Sequence, residues 1–239
     1  MSHRVSDTSD TSDVIFTRAG LWAGARLSVA LSLSVFVYGA VFGMLARQTG
    51  LTLWQATFMS GLVHAGTAQF MVLELWSTPL PIVTITVTTF LVNLRHVLFG
   101  AALRPWFHSL SYLQRYGSAF LMADENWAMT MKEFDNGNRD AAVLLGSGFP
   151  LMAGWIGGTV GGHILGAVVP DPAAWGLDFA FTAVFLAMLT SMWKGRAHLL
   201  PWALAGMVAV VTSYLIPGSW YIVAGGIAGS IAGGWAHGK

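Results

Sequence analysis

Residues 27–46 read LSVALSLSVFVYGAVFGMLA, a run of 20 uncharged residues closed by Arg26 and Arg47. At 1.5 Å of rise per residue such a run makes a helix of about 30 Å, the thickness of the hydrocarbon core of a bilayer. Backbone groups find no water there, so only a helix or a closed barrel can cross. Barrel strands alternate apolar and polar residues. This run is apolar throughout, and it reads as a membrane-spanning helix.

Working outward, seven further apolar segments follow: Leu51–Trp76, Ile82–Leu103, Tyr116–Met131, Ala141–Val169, Gly176–Trp193, Leu199–Ile216 and Trp220–Ala236. The fourth is weak, because Asp124-Glu125-Asn126 stands at its centre. Composition agrees: 55% of the 239 residues are apolar and 10% charged, against about 25% charged in soluble domains. Mean hydropathy is +0.62. A soluble globule and a disordered chain are both excluded. The expected fold is an all-α polytopic membrane helix bundle of seven or eight spans of roughly 20 residues each. Residues 27–239 form one transmembrane domain behind a tail at 1–26. Within the tail, residues 1–13 read as disordered, and 14–26 as an interfacial helix with Phe16 and Trp22 toward lipid.

The net charge of +1 offers no basis for a nucleic-acid partner. The absence of cysteine excludes disulfides and thiolate metal sites, and no residue pattern asks for a metal or other cofactor. No H-E-x-x-H, G-x-x-x-x-G-K-[ST] or G-x-S-x-G motif occurs. The reading is therefore not an enzyme, with no ATPase of its own.

Basic residues set orientation. Eight spans with cytoplasmic ends, or seven with segment four failing to cross, both put eight Lys/Arg inside against three outside. The expectation leans to seven spans plus a partial helix. Every internal basic loop then lies on one face, and the charged centre of segment four also favours this count; separately, the sequence carries a faint repeat. Gly39-x3-Gly43 followed by Trp54 resembles Gly158-x3-Gly162 followed by Trp175, and with seven spans these halves run oppositely, as inverted repeats with broken helices do.

An ionisable side chain at membrane depth costs about 2.5–3.5 kcal/mol or more, which makes it informative. Thr86, Thr89, Asn93, His96 and Gly100 recur at steps of 3, 4, 3 and 4, one face of a helix, with Arg95 about 100° away. Such a stripe lines a cavity or a helix interface. Ala65-Gly66-Thr67-Ala68-Gln69 interrupts segment two with small residues. Unwinding there presents free N–H groups to an anion such as a carboxylate, with Thr67 and Gln69 adding polar contacts. Glu74 and Asp178 suit a substrate ammonium, a coupling proton or a pairing with Arg95, and Asp178 also suits a helix cap. Asp124 and Glu125 are neighbouring carboxylates, so one holds its proton more tightly, which suits a relay. Gly154, Gly158, Gly162 and Gly166 make a smooth face for close helix packing, with His163 beside it as a packed histidine.

Taken together, several stretches resemble the AzlC family of branched-chain amino acid exporters. They are Gly39-Ala40-Val41-Phe42-Gly43, Ala65-Gly66-Thr67-Ala68-Gln69-Phe70, Asn93-Leu94-Arg95-His96-Val97-Leu98-Phe99-Gly100, Asp124-Glu125 and Leu177-Asp178-Phe179-Ala180-Phe181. They stand in family order, and the Asn93–His96 run is the most specific. His64 departs from the apolar residue expected there and bears on substrate choice. The resemblance implies a multi-pass permease of the bacterial plasma (inner) membrane that exports valine, leucine and isoleucine with a small AzlD-type membrane subunit. Main-chain groups of Gly66–Gln69 with Arg95 or Asn93 would hold the substrate carboxylate. Asp178 or Glu74 would face the ammonium, and Asp124, Glu125 or His96 would carry a proton driven by proton motive force. Two other classes compete. A non-transporting scaffold would assemble through the glycine faces. An intramembrane enzyme would need His96 and Asp124 within hydrogen-bond reach.

Overall fold

The computed structural model describes residues 14–168, 199–216 and 220–237, together with Phe179, Leu186, Thr190 and Gly195. Asp178 and the rest of segment six lie outside the described residues. The elements in chain order are α1 (Arg18–Gln48), α2 (Leu53–Val63), α3 (Gly66–Glu74), α4 (Ile82–Asn93), α5 (Arg95–Phe107), α6 (Tyr112–Phe120), α7 (Asp124–Asp135), α8 (Ala142–Val168), α9 (Leu199–Leu215) and α10 (Trp220–His237). Among the described residues, β pairing is confined to an isolated bridge between Ile15 and Asp140.

α1 begins at Arg18 because Thr17, in an extended conformation, accepts a hydrogen bond from the Gly20 N–H, the N-cap arrangement that satisfies an orphan donor. It continues through Arg26 without interruption. Residues 18–26, expected as a separate interfacial helix, are thus the first turns of the spanning helix. Phe16 does not face outward either: it packs against the cluster of Leu103, Phe107, Met122, Phe134 and Leu144. The helix ends at Thr49, whose hydroxyl returns to the carbonyls of Leu45 and Ala46, and Gly50 at φ +86 turns the chain.

The frame of the molecule is the pairing of α1 with α8. A Cβ on Gly146 would stand 2.1 Å from the Leu21 carbonyl oxygen, on Gly154 2.6 Å from that of Ser32, and on Gly158 2.2 Å from that of Phe36. On Gly162 it would stand 1.9 Å from the Ala40 oxygen, and on Gly166 3.3 Å from the Met44 Cα. From the other side Gly24, Gly39 and Gly43 approach the carbonyls of Val143, Trp155 and Thr159. Only a missing side chain permits this approach, and close backbone contact is what drives helix association where lipid removes the hydrophobic incentive. The partner of the α8 glycine face is therefore in the same chain.

Numbers on the two helices rise together, so α1 and α8 run parallel. Their starts are pinned side by side. The Thr17 N–H donates to Asp140 Oδ1 at 3.1 Å, the Thr17 hydroxyl bonds Asp140 Oδ2, and the Ala142 N–H donates to Oδ1 at 3.1 Å. The Ile15 N–H donates to the Arg139 carbonyl and the Ala141 N–H to that of Ile15. The opposite course that the repeat implied is not what Gly39/Gly43 and Gly158/Gly162 do: they face each other from parallel helices.

Arg18–Gln48, Ile82–Phe107 and Ala142–Val168 are long and apolar enough to cross a membrane. Segments two and four are each broken into two shorter helices, α2–α3 and α6–α7. Leu51, Phe70 and Leu73 pack against Phe42 and Leu45 of α1 and Trp155 of α8, with Phe42 stacked on Trp155 at 5.6 Å between centroids and Phe70 edge-on to both. α9 and α10 form an antiparallel pair in which Gly225 and Gly229 meet Ala205, and α10 touches α4.

Candidate functional site

Three helix breaks build the site. The first lies between α2 and α3. His64 ends α2 in the left-handed region at φ 44, a conformation that costs a non-glycine residue energy and persists only where its surroundings impose it. Ala65 caps α3 without a side-chain hydrogen bond, which leaves the N–H groups of its first turn for another acceptor. The interruption expected around Ala65–Gln69 is confined to His64–Ala65, and Gly66–Gln69 form the first turn of the restarted helix. The second break is milder. Leu94 stays in the right-handed region while the Leu94 N–H reaches back to Leu91 and the Val97 N–H to Leu94. This is a tight three-residue turn that bends one rod, a common mark of a functional hinge. The third break, Leu121–Ala123, is held by Asn126, which is fully buried. Its Oδ1 accepts from the Ala123 N–H at 2.7 Å, and its Nδ2 donates to the Leu121 carbonyl at 2.9 Å.

Arg95 joins all three breaks. It is the first residue of α5. Its Nη1 lies 2.7 Å from Asp124 Oδ2, at the first position of α7, and its Nη2 donates to Thr67 Oγ1 at 3.3 Å in the first turn of α3. Helix starts carry partial positive charge, so the guanidinium and three such ends converge, with Asp124 as the counter-charge. The partner of Arg95 is neither Glu74 nor a free carbonyl but Asp124. Glu74 is exposed at the far end of α3.

The stripe expected on segment three is rotated. Thr86 and Gly100 are exposed, whereas the buried hydroxyls are Thr84 and Thr88, on the face that leads to Arg95. Asn93 and His96 are half-buried, and His96 Nδ1 lies 3.3 Å from the Asn93 carbonyl. Asp124 Oδ1 has no hydrogen-bond partner, so His96 and Asp124 are not within reach of each other, as an intramembrane enzyme would require. Glu125 follows Asp124 in the first turn of α7 and is exposed.

Gln69 is placed differently from a ligand. It is fully buried, its Oε1 accepts from Trp155 Nε1 at 3.1 Å, and its Nε2 donates to Ser60 Oγ at 3.3 Å. Ser60 in turn shares a 2.8 Å hydrogen bond with Thr159. Gln69 thereby ties α3 to α2 and α8. Gly66 lies against the Trp155 ring, 3.0 Å from where its Cβ would be. His163 is a packed histidine whose Nε2 meets the Leu51 carbonyl at 2.9 Å.

Around Arg95 the polar account is incomplete. Both ring nitrogens of His64, Asn93 Oδ1, Arg95 Nε and Asp124 Oδ1 are buried without a partner. Buried polar groups are ordinarily bonded, so these five atoms, gathered around one guanidinium, give the cluster capacity left to bind. The side chains of Arg95 and Asp124 are 27% and 43% accessible. The clefts at α5–α6 are lined by neither. Sequence reasoning missed Asn126, Trp155 and Asp140. Asn126 carried one usable signal, an amide at the third position of a helix.

A family model described as AzlC protein matches residues 30–169. An uncharacterized membrane protein of Archaeoglobus fulgidus is 31% identical over 81% of this chain and 85% of its own length. The inner membrane protein YgaZ of Escherichia coli is 27% identical over 81% and 82%. A Bacillus subtilis protein named branched-chain amino acid transport protein AzlC is 23% identical over 86% and 82%. No solved structure matches.

Proposed function

The chain belongs to the AzlC family of membrane proteins, and from that premise we propose that it is a secondary transporter exporting valine, leucine and isoleucine, with Arg95 and Asp124 as the substrate-binding pair. The observation that carries the reading is the guanidinium of Arg95 at the meeting of three helix starts, bonded to Asp124 and Thr67 with Nε still free. A zwitterionic amino acid suits this arrangement. Its carboxylate replaces Asp124 on Arg95 and takes the N–H groups of Gly66 and Thr67, while its ammonium takes the released Asp124. One ion pair becomes two, with no net charge left in a region where isolated charge is expensive. Glu125 and His96 carry the coupling proton, and proton motive force sets the direction. Asp178 and Glu74 remain the alternative ammonium partners, Asn93 a second carboxylate donor, and a small AzlD-type membrane subunit the companion. The scaffold reading is less favoured, because Gly154, Gly158 and Gly162 are covered by α1 of the same chain.

Purified protein in proteoliposomes, loaded with labelled leucine, isoleucine or valine and given a proton gradient, tests the reading. Arg95→Ala and Asp124→Asn are expected to cut flux about a hundredfold, the weight of a charged hydrogen bond of about 2.7 kcal/mol. Flux unchanged in both variants would remove the pair from the mechanism.

A further inference from the structure

The end of α5 and the start of α6 meet at an elbow that the transport reading leaves unused. The chain turns at Ser109–Ser111, and Ser111 starts α6 through a reciprocal capping box with Gln114. α6 then presents Tyr112, Leu113, Tyr116 and Phe120 outward, 76%, 85%, 65% and 51% exposed, while Ser118 is buried on its other side. An aromatic, half-polar helix of this kind belongs at the headgroup level, where an amphipathic ring has one end wet and one end in hydrocarbon.

At this elbow two clefts open side by side. One, of about 470 Å3, runs between α5, α6 and α8 over a floor of Leu103, Phe107, Met122 and Leu144. These four are buried side chains. The other, of about 390 Å3, lies against Pro105. Arg104 and His108 line both and so stand on the ridge between them, and Arg115 lines the larger. None of the lining residues is acidic. Arg115 is held in place by the carbonyls of His108 and Leu110 at 2.9 and 3.0 Å, while its Nε is buried without a partner. His108 Nδ1 is engaged by the Pro105 carbonyl at 2.9 Å, which leaves Nε2 available. Gly100 adds no bulk, since a Cβ there would meet nothing within 4 Å.

We propose that this elbow binds the headgroup of an anionic phospholipid, its phosphate on Arg104, Arg115 and His108 and an acyl chain over the apolar floor of the larger cleft. Two features select a lipid over a free phosphate. The cationic ridge borders the apolar floor of the larger cleft, which inorganic phosphate would leave empty, and the outward aromatic face sets the ridge at the depth where headgroups lie. Basic pockets between membrane helices are suited to such headgroups, each basic residue contributing roughly a fivefold gain in affinity.

The full-length protein in detergent, titrated with phosphatidylglycerol or phosphatidylcholine and followed by native mass spectrometry and thermal unfolding, tests the assignment. The expected result is retention and stabilisation by phosphatidylglycerol, with little from phosphatidylcholine or inorganic phosphate. Arg104→Gln should weaken phosphatidylglycerol about fivefold and Arg104→Glu about 25-fold. Gly100→Leu, which keeps every charge but narrows the larger cleft, should weaken it also, with the variants eluting as the wild type on gel filtration. Equal binding of the two lipids, equal binding by Arg104→Glu and wild type, or an inorganic phosphate effect as large as the lipid's would overturn the proposal. Flux through the Arg95 site is a separate measurement, so failure of one reading leaves the other standing.

Discussion

The α1–α8 pair and the line of helix breaks are both rich in polar or small residues, yet they are opposite kinds of structure. Along α1–α8 every feature has a partner. Glycines meet carbonyl oxygens, Asp140 serves both helix starts, and Gln69, Ser60, Thr159 and Trp155 close a chain of hydrogen bonds. Along the breaks His64, Asn93, Arg95 and Asp124 each keep an unpartnered buried atom. A satisfied network rigidifies, whereas an unsatisfied one stores capacity that a ligand can discharge. The contrast separates the frame of the molecule from its working part more cleanly than polarity alone would.

The frame should break hardest at Gly162. A valine there puts side-chain atoms where the Ala40 oxygen already stands. Gly162→Val is expected to lower stability by about 3 kcal/mol, read as a shifted unfolding midpoint in detergent, whereas Gly226→Ala, which meets nothing within 4 Å, should change it by less than about 0.5 kcal/mol. Gln69 sharpens the line between the two regions. Gln69→Ala orphans Trp155 Nε1 and should lose about 2 kcal/mol of stability while leaving the substrate KM within about twofold of wild type. A large KM change with unaltered stability would move Gln69 to the binding side. Asp140→Ala removes a cap from two helices at once and is expected to cost about 1–2 kcal/mol, with hydrogen exchange quickened in the first turns of α1 and α8 together. The smallest effect is expected at Glu74, which is exposed and remote from Arg95. Glu74→Gln should leave both stability and flux at wild-type values, and a hundredfold loss of flux would restore Glu74 as an ammonium ligand.

Much of the frame was legible in the residues. Twenty uncharged residues force a span, four-residue glycine spacing forces close packing, and the Ala65-Gly66 pair marks a break because nothing there resists unwinding. What could not be read is what distant segments do to each other. The Thr17–Asp140 bond joins residues 123 apart, and no local pattern announces it. The partner of Arg95 stayed open among several carboxylates, since spacing orders residues on one helix but carries no information on which helix faces which. The direction of α8 relative to α1 was invisible for a related reason: counting basic residues gave equal totals for both topologies. His64 shows the converse, a residue conspicuous in sequence whose left-handed backbone and buried ring emerge only when the break around it is built.

The partnership between the first and eighth helices has a consequence for biogenesis. A ribosome adding about 5–20 residues each second needs roughly 6–25 s to travel from Thr17 to Asp140. Throughout that interval the notches of the first helix wait for the matching glycines, while Leu51, Phe70 and Leu73 arrive earlier against Phe42 and Leu45. A bulky substitution at a notch is therefore expected to leave the first helix inserted without its late partner.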